Sequence, residues 1–553
     1  MHALKTPSFL RPSSRPTSPS PALTRPEGVV SDRPSRTSML SFSTFKRSAS
    51  PLTRASTPLV QDGSYMEVLN LRLSEAVSKA LAHPAGPGAP HEIYNGRRPI
   101  PPGRGRALGD LISSEIKASR ENPHLYRAVI RTLHRPLSVL VNNLSSTLLP
   151  LISSSTFRSP VNPSPHATTW QPNATQSHAL ALATLAGELL DTFNELGLGH
   201  DCEMRGDGLK VVRDGLVSVV KRVTEPLVAN IRSDLLPLIE ALATPQRSSS
   251  GVITATKTYS GSKAIVYHPS IISLQSVMPT YARALSKFIT STAAESILAS
   301  FLICLTWHGL VALSTRPIQQ PSPPTSPAPK TRRGSSVTPP TTPPASRFTL
   351  KLPPSRPPSP PALPTTRMSS TTADARALYD LLASLPRPSD VNTNKLAREA
   401  VDEGFEALSC LTVLLEAVPP HLQRIARNKS SAIRSIREDG ALELEKDLEV
   451  LTAELPTLIA FPVLLRCFVY PSSNTAVSER SVASMLGLSE VAYRNGCLSG
   501  FGRGEECAAA VGQRILSVLR ADLAQGRIDS DHLQEAQVVM KWLERQVALA
   551  SDH

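Results

Sequence analysis

Between positions 315 and 370 the sequence has no Asp or Glu, although 17 of the residues there are proline and eight are Lys or Arg. Proline fixes φ and removes a backbone donor, so no helix or sheet ladder propagates through a tract of this kind. The tract reads as a disordered basic linker over 315–370, and residues 1–62, basic and rich in Ser and Pro, read as a disordered tail. Aromatic residues are also scarce at 4 %, against 40 % hydrophobic residues overall, which fits packed regions mixed with unpacked ones. No run alternates convincingly as a strand. The six cysteines, Cys202, Cys304, Cys410, Cys467, Cys497 and Cys507, form no C-x-x-C pair and have no nearby histidine pair. That leaves no zinc-ligand spacing and no small disulfide framework, and it fits a reducing compartment, cytoplasmic or nuclear. The first 25 residues carry four bases and no acid, but Pro7, Pro12, Pro16, Pro19 and Pro21 break the amphipathic helix of a mitochondrial leader, and no continuous apolar run marks a secretory one.

What is present is helical patterning on both sides of the linker. From Met66 to Leu81 the apolar residues Met66, Leu69, Leu73, Ala76, Val77 and Ala80 recur at the three-and-four spacing of one helix face. Similar patterns run over 107–119, 124–134, 137–152, 177–196, 207–224, 227–243 and 270–292, punctuated by Pro136, Pro150, Pro226 and Pro237. After the linker they resume over 372–384, 394–417, 439–454, 457–469, 478–487, 489–498, 505–524 and 530–549, the last with Ser530 placed as its cap. No fixed repeat period emerges. The expected fold class is therefore all-α, with an N-terminal helical domain at 63–314 and a C-terminal acidic helical domain at 371–553, each a bundle or irregular helical array.

Charge follows the same division. Bases outnumber acids 9 to 3 in residues 1–62, 23 to 17 in 63–314 and 8 to 0 in 315–370, whereas 371–553 holds 19 bases and 25 acids. Opposite net charge on tract and C-terminal half makes an intramolecular contact as natural as an external acidic partner, and both weaken with salt.

Residues 296–315 carry Glu or Lys nowhere and are apolar enough for a membrane span, but Ser296, Ser300, Cys304 and His308 recur every four residues as a small, polar stripe. A buried core helix, with Trp307 inside, is preferred; a membrane-tethered protein is the alternative.

Short motifs favour a phosphoprotein that binds other proteins. Arginine precedes Ser-Pro or Thr-Pro by three residues at Ser18, Ser50, Thr57 and Ser359, and further Ser-Pro or Thr-Pro sites fall at Ser322, Ser326, Thr338 and Thr342. Phosphate at such sites pairs with the arginine clusters of a phospho-reader domain. Lys351, Pro354 and Pro357 follow the base-and-proline order that SH3-type grooves read from a polyproline II ligand. The stretch Ser481–Arg494 resembles a helix-turn-helix element, with Ala483 at the crossing, Gly487 at the turn and Ser489 capping the second helix. Nucleic acid is nevertheless disfavoured as its partner, since Glu490 precedes Arg494 and the surrounding half is acidic. Gly500-Phe-Gly502-Arg-Gly504 has the look of a phosphate loop but no strand before it, and reads as a hinge. The loop with Arg97, Arg98, Arg104 and Arg106 is the densest basic site near a folded region. No catalytic constellation, metal site or cofactor motif emerges, so the expectation is a non-enzymatic scaffold or adaptor.

Overall fold

The computed structural model describes residues 59–86, 92–161, 171–200, 209–244, 267–316, 370–391, 394–429, 434–471 and 480–551. The fold is all-α. Among the described residues seven helices precede the proline tract: α1 (Leu59–Leu81), α2 (Arg104–Ser119), α3 (Pro123–Ser153), α4 (Ala174–Leu196), α5 (Leu209–Glu240), α6 (Pro269–Phe288) and α7 (Thr292–Thr315). Eight follow it: α8 (Ser370–Ala383), α9 (Lys395–Lys429), α10 (Arg434–Thr452), α11 (Thr457–Leu464), α12 (Val482–Leu486), α13 (Glu490–Cys497), α14 (Phe501–Ala524) and α15 (Leu533–Ser551). Among the described residues the only β pairing is a single bridge between Tyr94 and Arg97.

Two helices run on through Pro136 and Pro226, where the sequence pattern divides each into two segments. α3 contains Pro136 and Pro150, and α5 contains Pro226 and Pro237. A mid-helix proline costs a hydrogen bond and about 3 kcal/mol. Here the buried face keeps its spacing across it, with Leu133, Leu137, Leu140 and Leu144 in α3 and Val223, Leu227 and Ile231 in α5 all at most 2 % exposed. Each such side chain contributes about 1.5–3 kcal/mol on burial, which outweighs the local loss. α1 begins at Leu59, inside the tail expected to end at 62, and α7 and α8 claim 315 and 370 from the ends of the linker. The rest of both tracts lies outside the described residues.

The described residues from Leu59 onward form one compact unit, where the sequence suggests separate helical domains on either side of the tract. The physical reason is α7. It is apolar around most of its circumference, and it packs on α4, α5 and the start of the chain's second half through α8, α9 and α11. Leu298, Leu302, Leu305, Trp307, Leu310 and Leu313 are buried to within 1 %. Trp307 donates from Nε1 to the Leu498 carbonyl at 2.6 Å, tying α7 to the loop before α14. Arg466 donates to the Thr315 carbonyl at 2.6 Å and to that of Ser314, satisfying the C-terminal end of the helix. A helix that is hydrophobic all round is a buried one or a membrane span. α7 and α3 are both long and apolar enough to cross a membrane, and in this fold two thirds of the α7 window is covered by protein.

The ends of the proline tract are pinned to each other. Arg316 donates from Nη1 to Asp374 Oδ2 at 2.5 Å, both side chains being buried, and Asp374 Oδ1 accepts from the His268 backbone N–H at 2.8 Å. A buried pair of this kind is justified by its extra hydrogen bonds rather than by Coulomb attraction alone.

Candidate functional site

A concavity of about 1030 Å³ opens where α7, α9, α14 and α15 meet the turn between α10 and α11. Its floor is apolar. Ile303 comes from α7, Ala407 from α9, Leu455 from the turn and Phe501 from α14, while Leu549 of α15, also in the lining, is 59 % exposed. Phe501 is fixed by stacking on buried Trp307, with ring centroids 4.6 Å apart and the planes tilted by 52°. Gly504 lets α14 approach closely enough for this, since a Cβ there would lie 2.8 Å from the Trp307 ring.

The rim carries five carboxylates, Glu403 and Glu406 from α9, Glu454 from the turn, and Glu505 and Glu506 from α14, and no Lys or Arg lines the cleft. Glu506 pairs with Arg503 at 2.9 Å. Glu403, Glu406, Glu454 and Glu505 have no ion-pair partner among the described residues, in contrast to the acids of α10. There Glu445 meets Lys541 and Arg545, Glu449 meets Arg545, Glu443 meets Arg424, and Asp447 lies 3.2 Å from His421. The acidity of the C-terminal half is thus neutralised along α10 and left uncompensated at the cleft. Burial raises the pKa of the nearby Cys410 thiol, and Glu406 and Glu454 raise it further, which places both carboxylates around one spot. A concavity lined by one sign of charge over low-dielectric walls focuses that potential and draws in ligands of the opposite sign.

Of the sites expected from sequence, the glycine-rich segment at 500–504 reaches the cleft, through Phe501 and Gly504. Ser18, Ser50, Thr57, Ser322, Ser326, Thr338, Thr342 and Ser359, and the SH3-type residues Lys351, Pro354 and Pro357, lie outside the described residues. The helix-turn-helix likeness has its local chemistry in place: Gly487 closes α12 in the left-handed region at φ 72°, and the Ser489 side chain accepts from Ala492 N–H at 3.1 Å. Its second helix, α13, is only eight residues long, and Arg494 is turned inward to Thr315 Oγ1 at 3.4 Å. The glycines at 500–504 form no hinge; Gly502 and Gly504 belong to the first turn of α14. In the arginine loop, the three donors at the start of α2 are already taken: Glu188 accepts from Gly103, Gly105 and Arg106 N–H at 2.7–3.1 Å.

Glu403, Glu406, Glu454, Glu505 and Phe501 were not singled out by sequence. The available signals were the three-residue spacing of Glu403 and Glu406 and the excess of acids over bases in 371–553. No protein-family model, curated protein or solved structure matches the chain.

Proposed function

We propose that this protein is a non-enzymatic scaffold or adaptor of the cytoplasm or nucleus, whose acidic cleft docks basic, proline-rich segments in extended form. The observation that carries this reading is the composition of the cleft: an apolar floor holding one fixed aromatic ring, under a rim with five carboxylates and no base. Extended proline-rich ligands bind aromatic-lined grooves because their backbone is already ordered, and acidic rims select those with Lys or Arg beside the prolines. The Ser-Pro and Thr-Pro sites of the basic tracts give such docking a means of control by charge. A nucleic-acid role through residues 481–494 has less support, as Arg494 is engaged within the fold. A membrane role through α7 has less support for the same kind of reason, since its apolar surface is largely used in packing.

The test is a fluorescence-anisotropy titration of a labelled peptide with the sequence of residues 343–362 against the full-length protein, carried to millimolar concentration. Binding should weaken between 50 and 300 mM salt, as expected on the order of a Debye length of 10 Å at 0.1 M. It should fall at least tenfold in the Glu403→Lys, Glu454→Lys double variant. Equal binding by that variant would overturn the assignment of the cleft.

A further inference from the structure

The reading of the cleft as a site for basic segments raises the question of what reaches it first. Residues 317–369 leave α7 after Arg316 and rejoin α8 at Ser370, with both ends held at the Arg316–Asp374 pair. Ile303, in the apolar lining of the cleft, lies 13 residues before Arg316 on α7, which is about 20 Å along the helix axis. The arm from Arg316 to Lys351 spans up to roughly 115 Å when extended and the arm from Lys351 to Ser370 up to roughly 60 Å, at about 3.3 Å per residue. Both are ample.

One stretch of the tract matches the cleft in pattern as well as in charge. In Arg347-Phe-Thr-Leu-Lys-Leu-Pro-Pro-Ser-Arg356 the residues Phe348, Leu350 and Leu352 alternate with Arg347, Thr349 and Lys351. In an extended backbone successive side chains point to opposite sides, so the three apolar groups share one edge and Arg347 and Lys351 the other. The apolar edge suits Phe501, Ile303 and Leu549, while the long Lys and Arg side chains can bend their charged ends to the glutamate rim.

We infer that residues 347–356 occupy the acidic cleft of their own chain, and that phosphorylation of Ser359 releases them. In that step a proline-directed kinase transfers the γ-phosphoryl group of ATP to Ser359 Oγ, the hydroxyl proton passes to the kinase's base, and ADP leaves. The modified residue brings about −1.5 to −2 charges three positions from Arg356, into a rim made of carboxylates. Until then the tethered segment competes at an effective concentration on the order of millimolar, which an external basic segment must overcome.

The experiment titrates the labelled 343–362 peptide into three full-length proteins: wild type, the linker variant Arg347→Glu, Lys351→Glu, Arg356→Glu, and wild type phosphorylated at Ser359. The linker variant and the phosphorylated protein should bind the peptide at least tenfold more tightly than wild type, and a peptide phosphorylated at the position of Ser359 should bind the linker variant at least tenfold more weakly. If all three proteins bind equally, the cleft takes basic segments but is not filled in cis, and the inference fails alone. If the linker variant does not bind the peptide, the cleft reading itself fails.

Discussion

Gly504 and Gly502 occupy the same first turn of α14 and make opposite demands. A Cβ at Gly504 would lie 2.8 Å from Trp307 Cη2, a rigid and buried ring, whereas nothing stands within 4 Å of a Cβ at Gly502. We expect Gly504→Ala to destabilise the protein by about 1–3 kcal/mol, overpacking exceeding the gain in helix propensity. Gly502→Ala should stabilise it by about 0.5–1 kcal/mol through that propensity alone. Urea denaturation of the two variants checks both signs. Three histidines make a second residue-scale prediction. Burial lowers the pKa of His178, His268 and His421, with Arg316 adding to the effect at His268 and Arg424 at His421. Each therefore binds a proton more readily when unfolded, where its pKa is about 6.5. The stability they contribute is complete above that pH and is lost as pH falls below it toward the folded-state values. The urea midpoint should thus be lower at pH 5.5 than at pH 7.5, and a midpoint unchanged or higher at pH 5.5 would contradict the burial of these rings.

α7 is the element on which both halves depend. Leu305 is fully buried within it, and an unpaired carboxylate at that depth costs several kcal/mol, comparable to the whole stability of a domain. Leu305→Asp should abolish helical circular dichroism from both halves rather than from the N-terminal one alone; retention of about half the signal would show that the second half folds without α7. The existence of most helices was legible from apolar residues three and four apart, and so was the chemistry of short turns, as at Gly487 and Ser489. The continuation of α3 and α5 through their prolines was not. That outcome is decided by packing partners far away in sequence, which outweigh the local rule. Ser530, placed as the cap of the last helix, lies instead in a 3-10 turn ahead of α15, where Leu533 begins the helix proper.

At the scale of the whole molecule, the helices on either side of the proline tract belong to one packed body. Trypsin should cut at Lys330, Arg333 or Arg347, whereas Arg316 and Arg356 are followed by Pro317 and Pro357, bonds that trypsin does not cleave. The nicked protein should elute in gel filtration at the size of the intact one and come apart only in denaturant. Release of separate fragments in native buffer would instead favour independent domains. The acidic cleft was hidden from sequence because its carboxylates come from positions as far apart as 403 and 506, on helices whose meeting no local pattern encodes. The most direct measurement of the contact between tract and cleft is zero-length carbodiimide cross-linking of the full-length protein, read by mass spectrometry at low and high salt. The account predicts links from Lys351 to Glu403, Glu406, Glu454 or Glu505 that fade at high salt; links scattered over other acids, or none from Lys351, would contradict it.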